Sequence, residues 1–79
     1  MPEEETRKLK GRLNRLKGQV EGLTKLVEGD DPVMVIVQMK AVIAAARGCL
    51  NEYGQSAVTS AQNEQIRQTL LKLMLTKGS

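Results

Sequence analysis

The chain is short and poor in bulky side chains. It has 79 residues, of which 41% are hydrophobic, with one Tyr and neither Trp nor Phe. Chains below about 70 to 80 residues usually gain stability from a disulfide, a metal or a partner chain. A single Cys and the absence of His exclude an internal disulfide and a closed zinc site of the Cys/His type. We therefore expect one helical domain over residues 1–79 that is stabilised by self-association.

The positive charge is concentrated near the N-terminus. The formal net charge is +3, and three Glu residues at positions 3–5 precede a basic segment that contains no carboxylate. The basic residues of this segment are Arg7, Lys8, Lys10, Arg12, Arg15 and Lys17. No uninterrupted apolar run reaches the roughly 18 residues of a membrane span, and the acidic start is unlike a secretory signal. The sequence predicts a cytoplasmic protein with a reduced thiol and no membrane partner.

The apolar residues of the first segment recur in steps of four and three. They are Leu9, Leu13, Leu16, Val20, Leu23 and Val27. This heptad pattern predicts a helix, and we expect Gly29 to end it as a left-handed cap. Asp31 and Pro32 match the cap and first position of a second helix, so the two helices should form a tight antiparallel hairpin.

The second helix is apolar on two faces. One four-three series runs through Val35, Met39, Val42, Ala46, Cys49 and Tyr53, and another face carries Val33, Ile36, Ile43 and Leu50. A helix with two apolar faces is buried on two sides, so one side should pack on the first helix and the other on a second copy. We expect a bend or an end between Gly54 and Gln62. A short third helix with Ile66, Leu70 and Leu73 should then run to the 77–79 tail, which makes the protomer all-α with three helices.

The basic segment is the first candidate for a functional surface. Lys8, Arg12, Arg15 and Gln19 lie at i, i+4, i+7 and i+11, along one stripe beside the apolar one. Such a stripe can follow a phosphate backbone, although a solvated helix face explains the charge density equally well. Without a His base, a Gly-rich phosphate loop or paired carboxylates in a predicted pocket, we expect a non-enzyme that needs no cofactor.

The string RLNRLKGQVEG at positions 12–22 resembles the first-helix signature of the copper-sensing and nickel/cobalt-sensing bacterial repressors, the CsoR/RcnR family. The resemblance continues through positions 26–30 and 38–42 and fades after about Leu50. It implies a protomer that dimerises into an antiparallel four-helix bundle and assembles into a tetramer, a dimer of dimers. It also implies operator DNA as the partner, bound on basic faces without a helix-turn-helix. Arg12 and Arg15 match the family's basic pair for DNA, with Lys8, Lys17 and Gln19 beside them.

The resemblance breaks down at the sensing site. Copper sensors of this family bind Cu(I) across the dimer with a Cys at the start of the second helix and a His and a Cys further along it. By register these positions fall on Val33, Ala57 and Ala61 here. Because Cu(I) is selected by thiolate and imidazole ligands, we expect no metal site, and the inducer is not identified by the sequence.

Cys49 is the only thiol. Its place on the apolar stripe is typical of a small core residue. Exposed at the dimer seam, it would instead be a candidate thiol sensor that reacts with an electrophile, as sulfur- and formaldehyde-sensing members of the family do with a Cys at another position.

Two functions stay open on the sequence alone. The first is a transcriptional repressor that does not sense copper or nickel by the family's standard site. Such a repressor would bind constitutively, act as a co-repressor with a metal-binding paralogue, or use another sensing site. The second is a helical oligomerisation or adaptor module that does not bind DNA.

Overall fold

The computed structural model describes residues 2–76, which form three α-helices. Helix α1 spans Glu3–Val27, α2 spans Pro32–Ser60 and α3 spans Glu64–Leu75. Helices α1 and α2 are antiparallel, since the Ser56 hydroxyl donates to the Glu5 carboxylate at 3.0 Å near one end of the pair. Helix α3 folds back onto the C-terminal part of α2. The predicted all-α class, with two long helices and a short one, is confirmed.

Local capping explains where α2 and α3 begin. The Asp31 carboxylate accepts a hydrogen bond from the Met34 amide at 3.1 Å, and Pro32 occupies the first helical position, as predicted. The Asn63 side chain accepts from the Ile66 amide at 2.8 Å and caps α3 in the same way. Each cap satisfies an amide that would otherwise have no partner in its helix.

The end of α1 differs from the prediction for Gly29. No residue among positions 2–76 has a positive φ, so Gly29 is not a left-handed cap and that prediction is wrong. Instead, Glu28 stays in the right-handed region with φ −76° and ψ −12°, and the Gly29 amide donates to the Leu26 carbonyl at 3.0 Å. The last turn tightens to three-residue spacing, which satisfies a terminal carbonyl without a left-handed residue.

Helix α2 continues through Gly54 and ends at Ser60, within the predicted range. Gly54 is buried because Met74 of α3 lies directly over it, where a Cβ atom at position 54 would overlap the Met74 thioether. Gly54 therefore leaves the space in which the Met74 side chain of α3 packs against α2. The predicted end of α3 in the tail at positions 77–79 lies outside the described residues.

The described chain is one helix layer thick. Its principal extents are 51 × 28 × 12 Å, and 12 Å is the diameter of a single helix with its side chains. The radius of gyration is 15.8 Å, compared with about 12 Å for a compact domain of this length. Among the described apolar side chains only Leu9 and Cys49 are buried, each at 8% exposure. A single layer cannot enclose a core, so much of the apolar surface is open.

The two apolar sides of α2 differ in their exposure to solvent. Val35, Val42 and Cys49 face α1 and are buried or half-buried. An exposed row on the other side, here called the α2 stripe, consists of Ile36, Met39, Ile43, Leu50 and Tyr53. Met39 and Tyr53 thus lie with the second face rather than with the Val35 series in which the periodicity placed them.

The exposed apolar row also gives α2 a high hydropathy. Over 18 residues its mean hydropathy is 1.7, so by length and composition alone it is long and apolar enough to cross a membrane. A helix that packs on partners along two sides has the same composition.

The two glycines in the C-terminal half of α2 provide a test of α3 docking. Replacing Gly48 by Ala should raise the free energy of unfolding by about 0.5–1 kcal/mol, because Ala has the higher helix propensity. The new Cβ would meet only the Arg12 guanidinium, at 4.0 Å. Gly54→Ala should raise the free energy of unfolding less than Gly48→Ala does, or lower it, because the Met74 side chain must move to make room for the new Cβ. Urea unfolding at one protein concentration measures both, and equal stabilisation by the two variants would contradict the packing of Met74 on Gly54.

Candidate nucleic-acid interface

A cleft lies between α1 and α2 on one side of the helix pair. We call it the α1–α2 cleft; its volume is about 390 Å³. It is lined by Arg12, Arg15, Leu16, Gln19, Ala44, Ala45, Gly48 and Cys49. On the α2 side the lining residues are all small, so the helices leave space where larger side chains would have met.

Arg12 spans the seam between the two helices. Its Nε lies 3.0 Å from Glu52 Oε2, and the side chains are 57% and 27% exposed, respectively. This contact is an ion pair without an aligned hydrogen bond, since Glu52 Oε2 is buried and accepts none. One terminal nitrogen of Arg12 points toward Gly48, at 4.0 Å from where a Cβ would stand. The guanidinium therefore stands at the edge of the cleft with much of its surface open to solvent.

Arg15 and Lys8 lie on the same side of α1 as Arg12. Both are exposed, and neither has a carboxylate within ion-pair distance among residues 2–76. Positions 8, 12 and 15 fall within about 60° of one another around the helix axis. The structure thus brings together three of the five residues expected to bind DNA on one accessible surface.

Gln19 belongs to the same stripe but points inward. It is half-buried, and its carbonyl oxygen Oε1 is buried without a hydrogen-bond partner in the described part of the chain. Its position lines the cleft rather than the outer surface. In this arrangement the Gln19 carbonyl is not presented to a ligand on the outer face of α1.

Lys17 lies apart from the other predicted DNA-binding residues. It lines a separate shallow depression with Lys10, Leu13 and Asn14. Lys17 lies two positions after Arg15, which corresponds to about 200° around the helix. The basic segment is therefore divided between two sides of α1.

Cys49 occupies the position of a core residue. It is 8% exposed, carries a free thiol and faces α1 from the middle of the seam. One edge of its side chain lines the α1–α2 cleft. It does not belong to the α2 stripe, so a second copy that packs on that stripe would not contact the thiol directly.

The family's metal positions contain no donor atoms here. Val33 is 69% exposed at the start of α2, whereas Ala57 and Ala61 are half-buried near its end. About 36 Å of helix separates Val33 from Ala57, so only an antiparallel second copy would bring them together. Aliphatic side chains cannot ligate a metal, and no three His, Cys, Asp or Glu side chains among the described residues are grouped for one. The residues at these positions do not fit a copper or nickel ion.

The ion pair between Arg12 and Glu52 was not predicted from the sequence. The signal was present, since Glu52 continues the four-three series of positions 35, 38, 42, 45 and 49, which are buried or half-buried. An acidic residue on that series, opposite a basic one on an antiparallel partner, predicts a bridge across the seam. The offset between the two helices was needed to say which basic residue it meets.

Comparison with known proteins places the chain in a family. The family model described as metal-sensitive transcriptional repressor matches residues 5–76. Searches of curated proteins and of solved structures gave no match. The match covers α2, α3 and all of α1 except its first two residues, and it includes the basic segment. The chain therefore belongs to the metal-sensitive transcriptional repressor family, the CsoR/RcnR family, whose members are repressors rather than enzymes.

Proposed function

We propose that this chain is a non-catalytic transcriptional repressor that binds operator DNA in the cytoplasm as a symmetric oligomer. The observation that carries the proposal is the exposed group of Lys8, Arg12 and Arg15 on one side of α1. Among the described residues no carboxylate of α1 lies within ion-pair distance of these three side chains, and only Arg12 has a partner, Glu52 of α2. Family membership supplies the second support.

The α2 stripe supports a dimer. Ile36, Ile43, Leu50 and Tyr53 are each more than half exposed, and with Met39 and Ala46 they keep four-three spacing over five helical turns. Complete burial of a large apolar side chain contributes about 1.5–3 kcal/mol, and these side chains, which are already partly covered, would gain roughly half of that. A second copy with the same stripe, packed in the opposite direction, completes a four-helix bundle and gives the single layer its missing second layer.

Such a dimer repeats the basic surface by symmetry. Each copy contributes Lys8, Arg12 and Arg15, and each phosphate contact releases condensed counterions. Affinity from this source depends steeply on salt and little on base sequence. A dimer of dimers doubles the number of contacts again, which suits a repressor that covers a stretch of promoter DNA.

Copper or nickel sensing by the family's standard site is not part of the proposal. Val33, Ala57 and Ala61 supply no ligand, so relief of repression must come from another site, from a metal-binding paralogue in a mixed oligomer, or not at all. An adaptor without DNA binding is the competing outcome of the experiments below.

Removal of single basic residues tests DNA binding. Arg15→Ala should weaken binding to promoter and random DNA alike and lower the slope of log K against log salt by about 1. Charge reversal at both Arg12 and Arg15 should abolish binding while the oligomer persists. Fluorescence anisotropy over a salt series measures this, with Lys72→Ala on α3 as the matched loss of one positive charge. An adaptor would show no promoter binding by the unmodified protein.

The ion pair with Glu52 should restrain Arg12. Glu52→Gln frees the guanidinium for a phosphate, so DNA affinity at low salt should rise about two- to fivefold. This factor corresponds to the free energy that a partly exposed ion pair contributes. Glu28→Gln removes the same charge from the far end of α1 and controls for net charge. If both variants bind DNA equally well, Glu52 does not compete with DNA for Arg12.

Disruption of the α2 stripe tests the dimer. Leu50→Glu places a charge within the proposed seam and should raise the dimer dissociation constant by at least about tenfold, because an apolar contact is lost and a carboxylate is desolvated. Leu75→Glu, at the exposed end of α3, should leave the dimer intact. Light scattering after size exclusion distinguishes monomer from dimer, and a dimeric Leu50→Glu variant would refute this seam.

A further inference from the structure

The α1–α2 cleft has the features of a small-ligand site that neither the family match nor DNA binding assigns. We propose that it binds a small organic oxyanion, a carboxylate or phosphate, that also carries a hydrogen-bond donor. Three separate properties of the cleft lead to this class: its volume, its two guanidinium groups and one buried carbonyl oxygen.

The volume and walls of the cleft suit a small molecule. About 390 Å³ lies within the range of roughly 300–1,000 Å³ that is typical of small-ligand sites. The α2 wall is built from Ala44, Ala45 and Gly48, so the space comes from missing side chains rather than from mobile ones. Leu16 and Cys49 provide an apolar floor next to the charged rim.

The rim of the cleft carries the charge for an anion. Glu52 engages the Nε of Arg12, which leaves the terminal nitrogens available beside Gly48. Arg15 has no carboxylate partner among the described residues, so its charge is not neutralised locally. Guanidinium groups bind carboxylate and phosphate through paired, charge-assisted hydrogen bonds, which are about twice as strong as neutral ones.

The carbonyl oxygen of Gln19 favours a ligand that carries a hydrogen-bond donor. This atom, Oε1, is buried in the described structure and accepts no hydrogen bond, which costs about 1–3 kcal/mol for a polar atom removed from water. An anion without a hydrogen-bond donor would leave this oxygen unsatisfied. Gln19 lines the cleft, so a turn of its amide would bring this oxygen to a hydroxyl or amino group on the ligand while the anionic group reaches the two arginines.

The cleft is independent of the proposed dimer seam. Gly48 in the cleft and Leu50 in the α2 stripe are two residues apart, which is about 200° around α2. The cleft therefore stays open when the stripe is covered. A bound anion engages Arg12 and Arg15, so it should also displace DNA phosphates; this consequence rests on the proposed function, whereas the site itself does not.

Inorganic phosphate is the probe, because at neutral pH it keeps a hydroxyl donor, and sulfate is its donor-free control. Calorimetric titration of the full chain, without DNA, should show saturable phosphate binding that exceeds sulfate binding at least about fivefold. Arg15→Gln should weaken phosphate binding at least about tenfold. Lys17→Gln, the same charge loss on the other side of α1, should change it less than about twofold.

Several results would overturn the site. One is the absence of a saturable heat of phosphate binding when circular dichroism shows that the protein is folded. Another is an equal loss of phosphate affinity in the Arg15→Gln and Lys17→Gln variants. Equal affinity for phosphate and sulfate would remove the role of Gln19. A second titration asks whether phosphate releases bound DNA more than sulfate of equal ionic strength does. A protein that binds phosphate but no DNA would refute the proposed function and leave the site standing.

Discussion

Every feature of this molecule depends on α2, a helix that is apolar on two sides and has one partner within its own chain. The seam with α1 covers one side through Val35, Val42 and Cys49, and α3 covers only the C-terminal end through Met74 on Gly54. The α2 stripe, which neither helix covers, is a continuous apolar row on a chain 12 Å thick. Because an exposed row of this kind is costly in water, the placement of α1 and α3 determines which surface is left for the proposed second copy.

Arg12 connects the seam to the basic surface. The same guanidinium bridges to Glu52 on α2, borders the α1–α2 cleft and stands beside the exposed Arg15. A charge held in this way has a defined position, whereas Lys8 is an exposed charge on a flexible stem. Packing of the two long helices, the edge of the cleft and the proposed phosphate contacts thus meet at one side chain. A substitution of Arg12 is expected to affect all three.

Much of the fold was readable from residue spacing, because helix periodicity and capping are local properties. The four-three series from Leu9 to Val27, the Asp31–Pro32 start of α2 and the break before α3 each required only neighbouring residues. The side on which each residue lies was harder. Lys17 and Arg15 read as neighbours in a basic run, yet the helix separates them by about 200°, and Gln19 turns inward because α2 lies beside it. The cleft was not predictable, since it depends on Ala44, Ala45 and Gly48 meeting α1 at one particular offset.

The single-layer thickness of the chain bears on how the stability of the protein depends on its concentration in the cell. If the protomer associates as proposed, its stability draws on that association and rises with protein concentration. Newly made chains below the association threshold would then be less stable and more open to proteolysis than chains above it. The level of gene expression would set both the number of molecules and the fraction of them that is folded, so the proposed repression would respond to synthesis more sharply than in proportion.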